Sequence, residues 1–166
     1  DSSTSRGLGD VYKRQIYGSY AFNDSRYNDD VTSGSTTYRT SGKNVVATPR
    51  NLANIQLGYD NGEIWGNVLM QFQDRRYYTY TNDQVVAPNA VFNLNVGYRF
   101  VNATGVLRGV DAQVNVTNLF DKKYVASVGT NGFVFNDPTA TFATLQSGAP
   151  RMVFFTCLLY TSDAAD

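Results

Sequence analysis

Apolar and polar residues alternate with a period of two in six separate stretches of this chain, and that period is what most limits its fold. Successive side chains of a β-strand point to opposite faces, so alternation specifies a strand with one apolar and one polar side. The cleanest run sets Phe92, Leu94, Val96, Tyr98 and Phe100 against Asn93, Asn95, Gly97 and Arg99. Val110, Ala112, Val114 and Val116 oppose Asp111, Gln113, Asn115 and Thr117, in a strand read as continuing to Tyr124. Ala53, Ile55, Leu57 and Tyr59 oppose Asn54, Gln56 and Gly58. In a strand from Ile64 to about Tyr80, Val68, Met70 and Phe72 oppose Asn67, Gln71 and Gln73, with Leu69 interrupting the polar side. A first strand covers Ile16 to Arg26, and a sixth begins at Arg151.

The connections differ in length. Asn28 to Pro49 and Ala126 to Pro150 are long and polar, Thr81 to Pro88 is intermediate, and two are short. One short connection, Asp60-Asn61-Gly62-Glu63, holds Asn-Gly, the strongest local hairpin signal. The other runs from Val101 to Gly109. Alternation alone fits a soluble sandwich with one wet face as well as a membrane barrel. Long loops on one side with tight turns on the other favour the barrel. So do strands longer than the five or six residues usual in soluble sheets. Aromatics also gather at strand ends: Tyr59, Tyr77, Tyr78, Tyr80, Tyr98, Phe100, Phe120 and Tyr124. A spanning strand needs only about 9–11 residues, half of them facing the lumen, so the lack of a long apolar run does not argue against a membrane. The expected fold class is all-β: six long antiparallel up-and-down strands forming a curved open sheet, a fragment of a transmembrane β-barrel. Long loops 28–49 and 126–150 should leave one end of the sheet, and the turns at 60–63 and 101–109 the other.

Little in the chain suggests chemistry. It has no histidine, the commonest general base and metal ligand, and its one cysteine is Cys157. Charge is balanced, 14 Lys+Arg against 14 Asp+Glu, so no basic field calls for nucleic acid. Arg75-Arg76-Tyr77-Tyr78 reads as interfacial tyrosines with water-facing arginines rather than as a nucleic-acid surface. Asp24, Asp29 and Asp30 miss the spacing of a calcium loop. No catalytic, cofactor-binding or metal residue is expected, and no cofactor. A serine esterase would need a base such as histidine.

Both ends resemble translated sequencing-adapter DNA. Asp10-Val11-Tyr12-Lys13-Arg14-Gln15 can be written GAT GTG TAT AAG AGA CAG. Its reverse complement, read one base in, encodes Cys-Leu-Leu-Tyr-Thr, which is Cys157 to Thr161. Residues 1–15 and 157–166 are accordingly expected to be adapter-like tails, and residues 16–156 the native part, an internal piece of a longer chain.

The stretch Asn118-Leu119-Phe120-Asp121-Lys122-Lys123-Tyr124 resembles the motif on the penultimate barrel strand of TonB-dependent outer-membrane receptors. Gly148-Ala149-Pro150-Arg151, Tyr17-Gly18-Ser19-Tyr20 and Val96-Gly97-Tyr98-Arg99-Phe100 are similar to other segments of that family. The resemblance implies a barrel filled by an N-terminal plug, in the outer membrane of a Gram-negative bacterium. It implies active uptake of a siderophore or other scarce nutrient, with no enzymatic activity. This chain would supply the last six strands, and would not function alone. The partners implied are outer-membrane lipid, the missing barrel strands and plug, TonB through the missing N-terminal part, and a small-molecule nutrient. The seven motif residues would be structural, with Phe120 and Tyr124 at the outer interface. Tyr38 and Arg39 are candidates for substrate-facing loop residues. The alternatives are a passive porin-type barrel and a secreted β-sandwich that binds carbohydrate.

Overall fold

The computed structural model describes residues 13–101, 109–130, 135, 137 and 139–160. Six long strands build one antiparallel sheet: β1 (Arg14–Phe22), β4 (Asn51–Asp60), β5 (Ile64–Gln73), β8 (Asn89–Arg99), β9 (Val110–Thr117) and β12 (Met152–Leu159). Their order in space is their order in the chain, so the sheet is an up-and-down meander with β1 and β12 at its edges. The short strands pair among themselves outside it: β2 (Val31–Ser33) with β3 (Thr36–Tyr38), β6 (Arg76–Tyr77) with β7 (Val85–Val86), and β10 (Val125–Gly129) with β11 (Thr144–Ser147).

Register converts the sequence alternation into two faces. Leu57 stands opposite Val68, Val68 opposite Leu94, and Leu94 opposite Val116. One step along, Val96 stands opposite Val114. On the other side, Asn95 lies between Asn67 and Asn115, and its Nδ2 donates to Asn67 Oδ1 at 2.9 Å. The expected sharing of faces is therefore observed. The apolar face is bare: Leu57 is 52% exposed, Val96 43% and Phe155 80%. No second sheet covers it among the described residues, which removes the sandwich alternative. A surface this apolar is stable only against lipid or another apolar partner. Strands of 8 to 11 residues suit the hydrocarbon thickness.

Aromatic residues border the apolar face at both ends. Tyr59, Tyr98 and Phe100 flank the short turns, with Tyr98 and Phe100 edge-to-face at 4.8 Å. Tyr20, Phe22, Phe92 and Phe120 flank the long loops, with Phe92 and Phe120 edge-to-face at 5.2 Å. Tight turns at one end and long connections at the other match the expected topology. Arg99, beside the 101–109 turn, reaches Asp60 of the 60–63 turn, while Gly129 belongs to the opposite end. Residues 102–108 of that turn lie outside the described residues.

Several expectations need correction. The strand read from Ile64 to Tyr80 stops at Gln73, and the strand read from Val110 to Tyr124 stops at Thr117. The first ends at Phe22, not Arg26. After Thr117 the Asn118 N–H is taken by the Asn93 side chain, whereas after Phe22 and Gln73 one more backbone bond forms, Asn23 N–H to Arg50 and Asp74 N–H to Asn51, before the chain turns away. Arg14 and Gln15 at one edge, and Cys157 to Leu159 at the other, continue the ladder without a break. Backbone groups make the ladder, so pairing extends over any residues that can alternate there.

Candidate functional site

The site is built where the strands give way to the long loops. Asn118 follows the last residue of β9 and takes a positive φ of 49°, which asparagine tolerates better than most residues. It is 3% exposed and fully engaged. Its Nδ2 donates to the carbonyls of Lys122 and Ala149, both at 2.9 Å, and its Oδ1 accepts the Lys122 N–H at 2.8 Å. Its own N–H donates to Asn93 Oδ1 at 3.0 Å. Asp121, also at positive φ, accepts the Arg151 N–H at 3.0 Å. That bond, followed by contact with Lys123, holds the Asp121 carboxyl below the usual carboxylate range. Tyr124 lies over Gly148, whose missing side chain leaves room for the ring, and the Gly148 N–H donates to the Tyr124 carbonyl at 2.7 Å.

The two motifs read separately in the sequence thus form one clamp. Residues 118–124 and 148–151 close the two ends of the last long loop against each other. Phe120 is exposed beside Phe92 of the apolar face. Tyr124 is not: it is turned inward over Gly148 because the strand has already ended at Thr117.

Beside the clamp the two long connections and the intermediate one pack together. Tyr80, 1% exposed, sits with Val46 and Ala140, and Tyr27 stands edge-on to it at 6.1 Å. Burial pushes both tyrosine pKa values up. Asn82 Oδ1 accepts the Asn44 N–H at 2.6 Å, and Asn82 Nδ2 donates back to the Asn44 carbonyl at 3.0 Å. The Ala47 N–H donates to the Tyr77 carbonyl at 2.8 Å. Arg76 is buried rather than water-facing: its Nη1 and Nη2 donate to the carbonyls of Ala126 and Val125 at 3.0 and 2.6 Å. Tyr80 and Arg76 were placed at a lipid–water rim by their sequence neighbours. Contacts with loops distant in the chain decide otherwise.

Two adjoining clefts open at this junction and share Asn89 and Tyr124. One, about 420 Å³, lies between Val86–Asn89 and Lys122–Val125. The other, about 350 Å³, is lined by Asn54, Gln71, Gln73 and Val91 of the carboxamide face, with Tyr124 and Ala126. These side chains can bind polar solutes; nothing in them sets up a nucleophile with a base. Tyr38 and Arg39 line neither cleft. Tyr38 is half-buried, Arg39 is exposed, and both belong to the β2–β3 hairpin of the first long loop.

The opposite end of the same face carries a charged cluster. Arg99 Nη1 donates to both Asp60 oxygens at 2.8 and 2.9 Å, and Arg99 Nε lies 3.6 Å from Asp111 Oδ2. The guanidinium stands over Trp65, whose Nε1 donates to Asp111 at 3.2 Å. The indole occupies the space that a side chain at Gly97 would fill. The sequence signal was present but unused: on strands β4, β5, β8 and β9, charges on the polar face occur only at this end.

A sequence model of the TonB dependent receptor-like β-barrel family matches residues 7–119. No curated protein matches the chain. Solved structures share its fold. The siderophore receptor PiuA from Acinetobacter baumannii is 18% identical with a TM-score of 0.65, covering 87% of this chain and 19% of that one. The unliganded ferric citrate transporter FecA is 18% identical at 0.65, covering 87% and 20%. The ferric yersiniabactin uptake receptor FyuA from Yersinia pestis is 17% identical at 0.61, covering 87% and 20%. The chain thus spans about a fifth of the length of these receptors.

Proposed function

The chain belongs to the TonB-dependent receptor-like β-barrel family, whose barrels lie in the outer membrane of Gram-negative bacteria, and we propose that it forms wall and outer loops of a receptor for TonB-dependent uptake of a siderophore or similar scarce nutrient. One observation carries the reading. The bare apolar face lies between two aromatic borders, opposite a carboxamide face that ends in clefts beneath packed loops. In a barrel the first face meets lipid and the second meets the lumen. The named ligands of the similar receptors, ferric citrate and ferric yersiniabactin among them, support an iron-complex substrate.

On this reading Ile16 to Thr156 is the native part, flanked by adapter-derived residues 1–15 and 157–166. The edges of β1 and β12 pair with the remaining strands of the parent barrel, because an open edge cannot sit in lipid. The parent's plug fills the lumen and passes the signal to TonB. Asn118 to Tyr124 acts as a structural clamp, and Tyr38 and Arg39 face arriving solute from the first long loop.

The test uses the full-length parent gene. Expressed under iron limitation, it should give uptake of radiolabelled ferric siderophores in cells with TonB and none in cells without it. Uptake equal in both strains would replace this reading with a passive porin.

A further inference from the structure

The two clefts differ from the rest of the carboxamide face in charge. Lys122 and Lys123 line the first, and among the described residues no carboxylate lines either cleft. Lys123 is balanced by Asp121, 3.2 Å away, whereas Lys122 makes no ion pair with a described residue. Behind the wall stands Arg76, 3% exposed and bonded to the carbonyls of Val125 and Ala126, which line the two clefts. Its Nε is buried without a hydrogen-bond partner, and no described carboxylate lies within ion-pair distance of it. Buried cations normally have an anion at hand. Of the nearby carboxylates, Asp121 pairs with Lys123 and accepts the Arg151 N–H, and Asp74 accepts from the Asn51 side chain and the Arg75 N–H. The result is a concave mouth with an excess of positive charge, which concentrates anions.

We infer that the paired clefts bind the anionic group of a solute, a carboxylate or phosphate, with Lys122 as the contacting cation and Arg76 as the buried charge that sets the sign of the field. The carboxamides of Asn54, Gln71 and Gln73 then offer both donors and acceptors to the neutral part of the same solute. Its entry is from the lumen side, because the second cleft is lined from that face. This rests on the receptor reading above for the direction of entry, while the sign of the field rests on the side chains alone.

The experiment measures the field with charged thiol reagents on the purified full-length receptor. A background with any native cysteines replaced by serine carries either Gln73→Cys, in the cleft wall, or Ser35→Cys, at the tip of the β2–β3 hairpin. Each is reacted with the anionic sulfonatoethyl and the cationic trimethylammonioethyl methanethiosulfonate. The anionic-to-cationic rate ratio should be several-fold higher at Gln73→Cys than at Ser35→Cys. Lys122→Gln should lower it about threefold, the effect of one screened charge at this range. Lys122→Arg should preserve it, which separates charge from misfolding. Inorganic phosphate should protect Gln73→Cys with Lys122 present and not with Lys122→Gln. Equal ratios at the two positions, or a ratio indifferent to Lys122→Gln, would overturn the inference. Protection by lipopolysaccharide but not by inorganic phosphate would overturn the solute assignment in favour of a lipid phosphate. These rates need no transport, so their failure leaves the uptake experiment standing, and a failed uptake experiment leaves them readable.

Discussion

The two ends of the sheet are fastened by different physics. At the short-turn end, a charged cluster of neighbouring strands does the work: Asp60, Arg99 and Asp111 around Trp65, over the gap at Gly97. Its partners are brought side by side by the ladder itself. At the long-loop end, the fasteners are an asparagine clamp and a small apolar core, formed by residues the ladder does not align. Asn118 reaches 31 residues ahead to Ala149, and Asn82 reaches 38 residues back to Asn44. The lesson is that the short turns inherit their order from the strands, whereas the long loops must create their own.

The sharpest way to break this contrast is to remove the loop core. In the full-length receptor, Tyr80→Ala should cost about 3 kcal/mol of loop stability, the usual scale for emptying a buried aromatic site. Amide exchange should rise together in residues 26–47, 74–86 and 139–144, and stay unchanged in β4 and β8. A rise confined to residues 74–86 would show that the loops are independent. Asn118→Ala comes next, because it leaves buried backbone groups unsatisfied. A loss of about 2 kcal/mol is expected, read by urea unfolding in liposomes, with faster proteolysis between Tyr124 and Gly148.

At the other end, Gly97→Ala forces the Trp65 indole aside, and overpacking of this kind costs about 1–2 kcal/mol. Trp65 fluorescence should shift while loop exchange does not, which keeps the two fasteners separate. The smallest effect belongs to Asp121. Its folded pKa is depressed, so its contribution is complete above the unfolded value, about 3.9, and is lost as pH falls through the lower folded value. Protection factors at residues 118–124, corrected for the intrinsic exchange rate at each pH, should therefore be flat from neutral pH down to the ordinary carboxylate range and fall below it. Asp121→Asn should abolish that acid step.

How much of this was legible follows the same division. Faces, strand order and the polarity of loop lengths were written in local alternation, because a ladder translates period two directly into sides. Val96 and Val114 are an example: their pairing follows once both strands are recognised. The endings were not legible. Nothing near Thr117 marks a strand end except the asparagine that follows, and its capture depends on Ala149, far along the chain. Tyr80 and Arg76 mislead for the same reason, since an aromatic beside arginines looks interfacial until a distant loop covers it. The candidate site was recognised only as a motif. Its real content, Tyr124 turned inward beside Asn89 and Lys122, arises from the clamp.

That clamp has a consequence for how such a molecule changes over time. Because residues 118–124 and 148–151 hold each other, the stretch between Tyr124 and Gly148 begins and ends at a fixed gap, whatever lies between. Closing a longer excursion across a fixed gap costs only a logarithmic increment of entropy. Apart from the positions that hold Arg76 and pack on Tyr80, the interval can change in length and composition while the neighbouring strands keep their register. A graft of a foreign epitope that keeps Ala140 and Ala143 on Tyr80 is the way to exploit it.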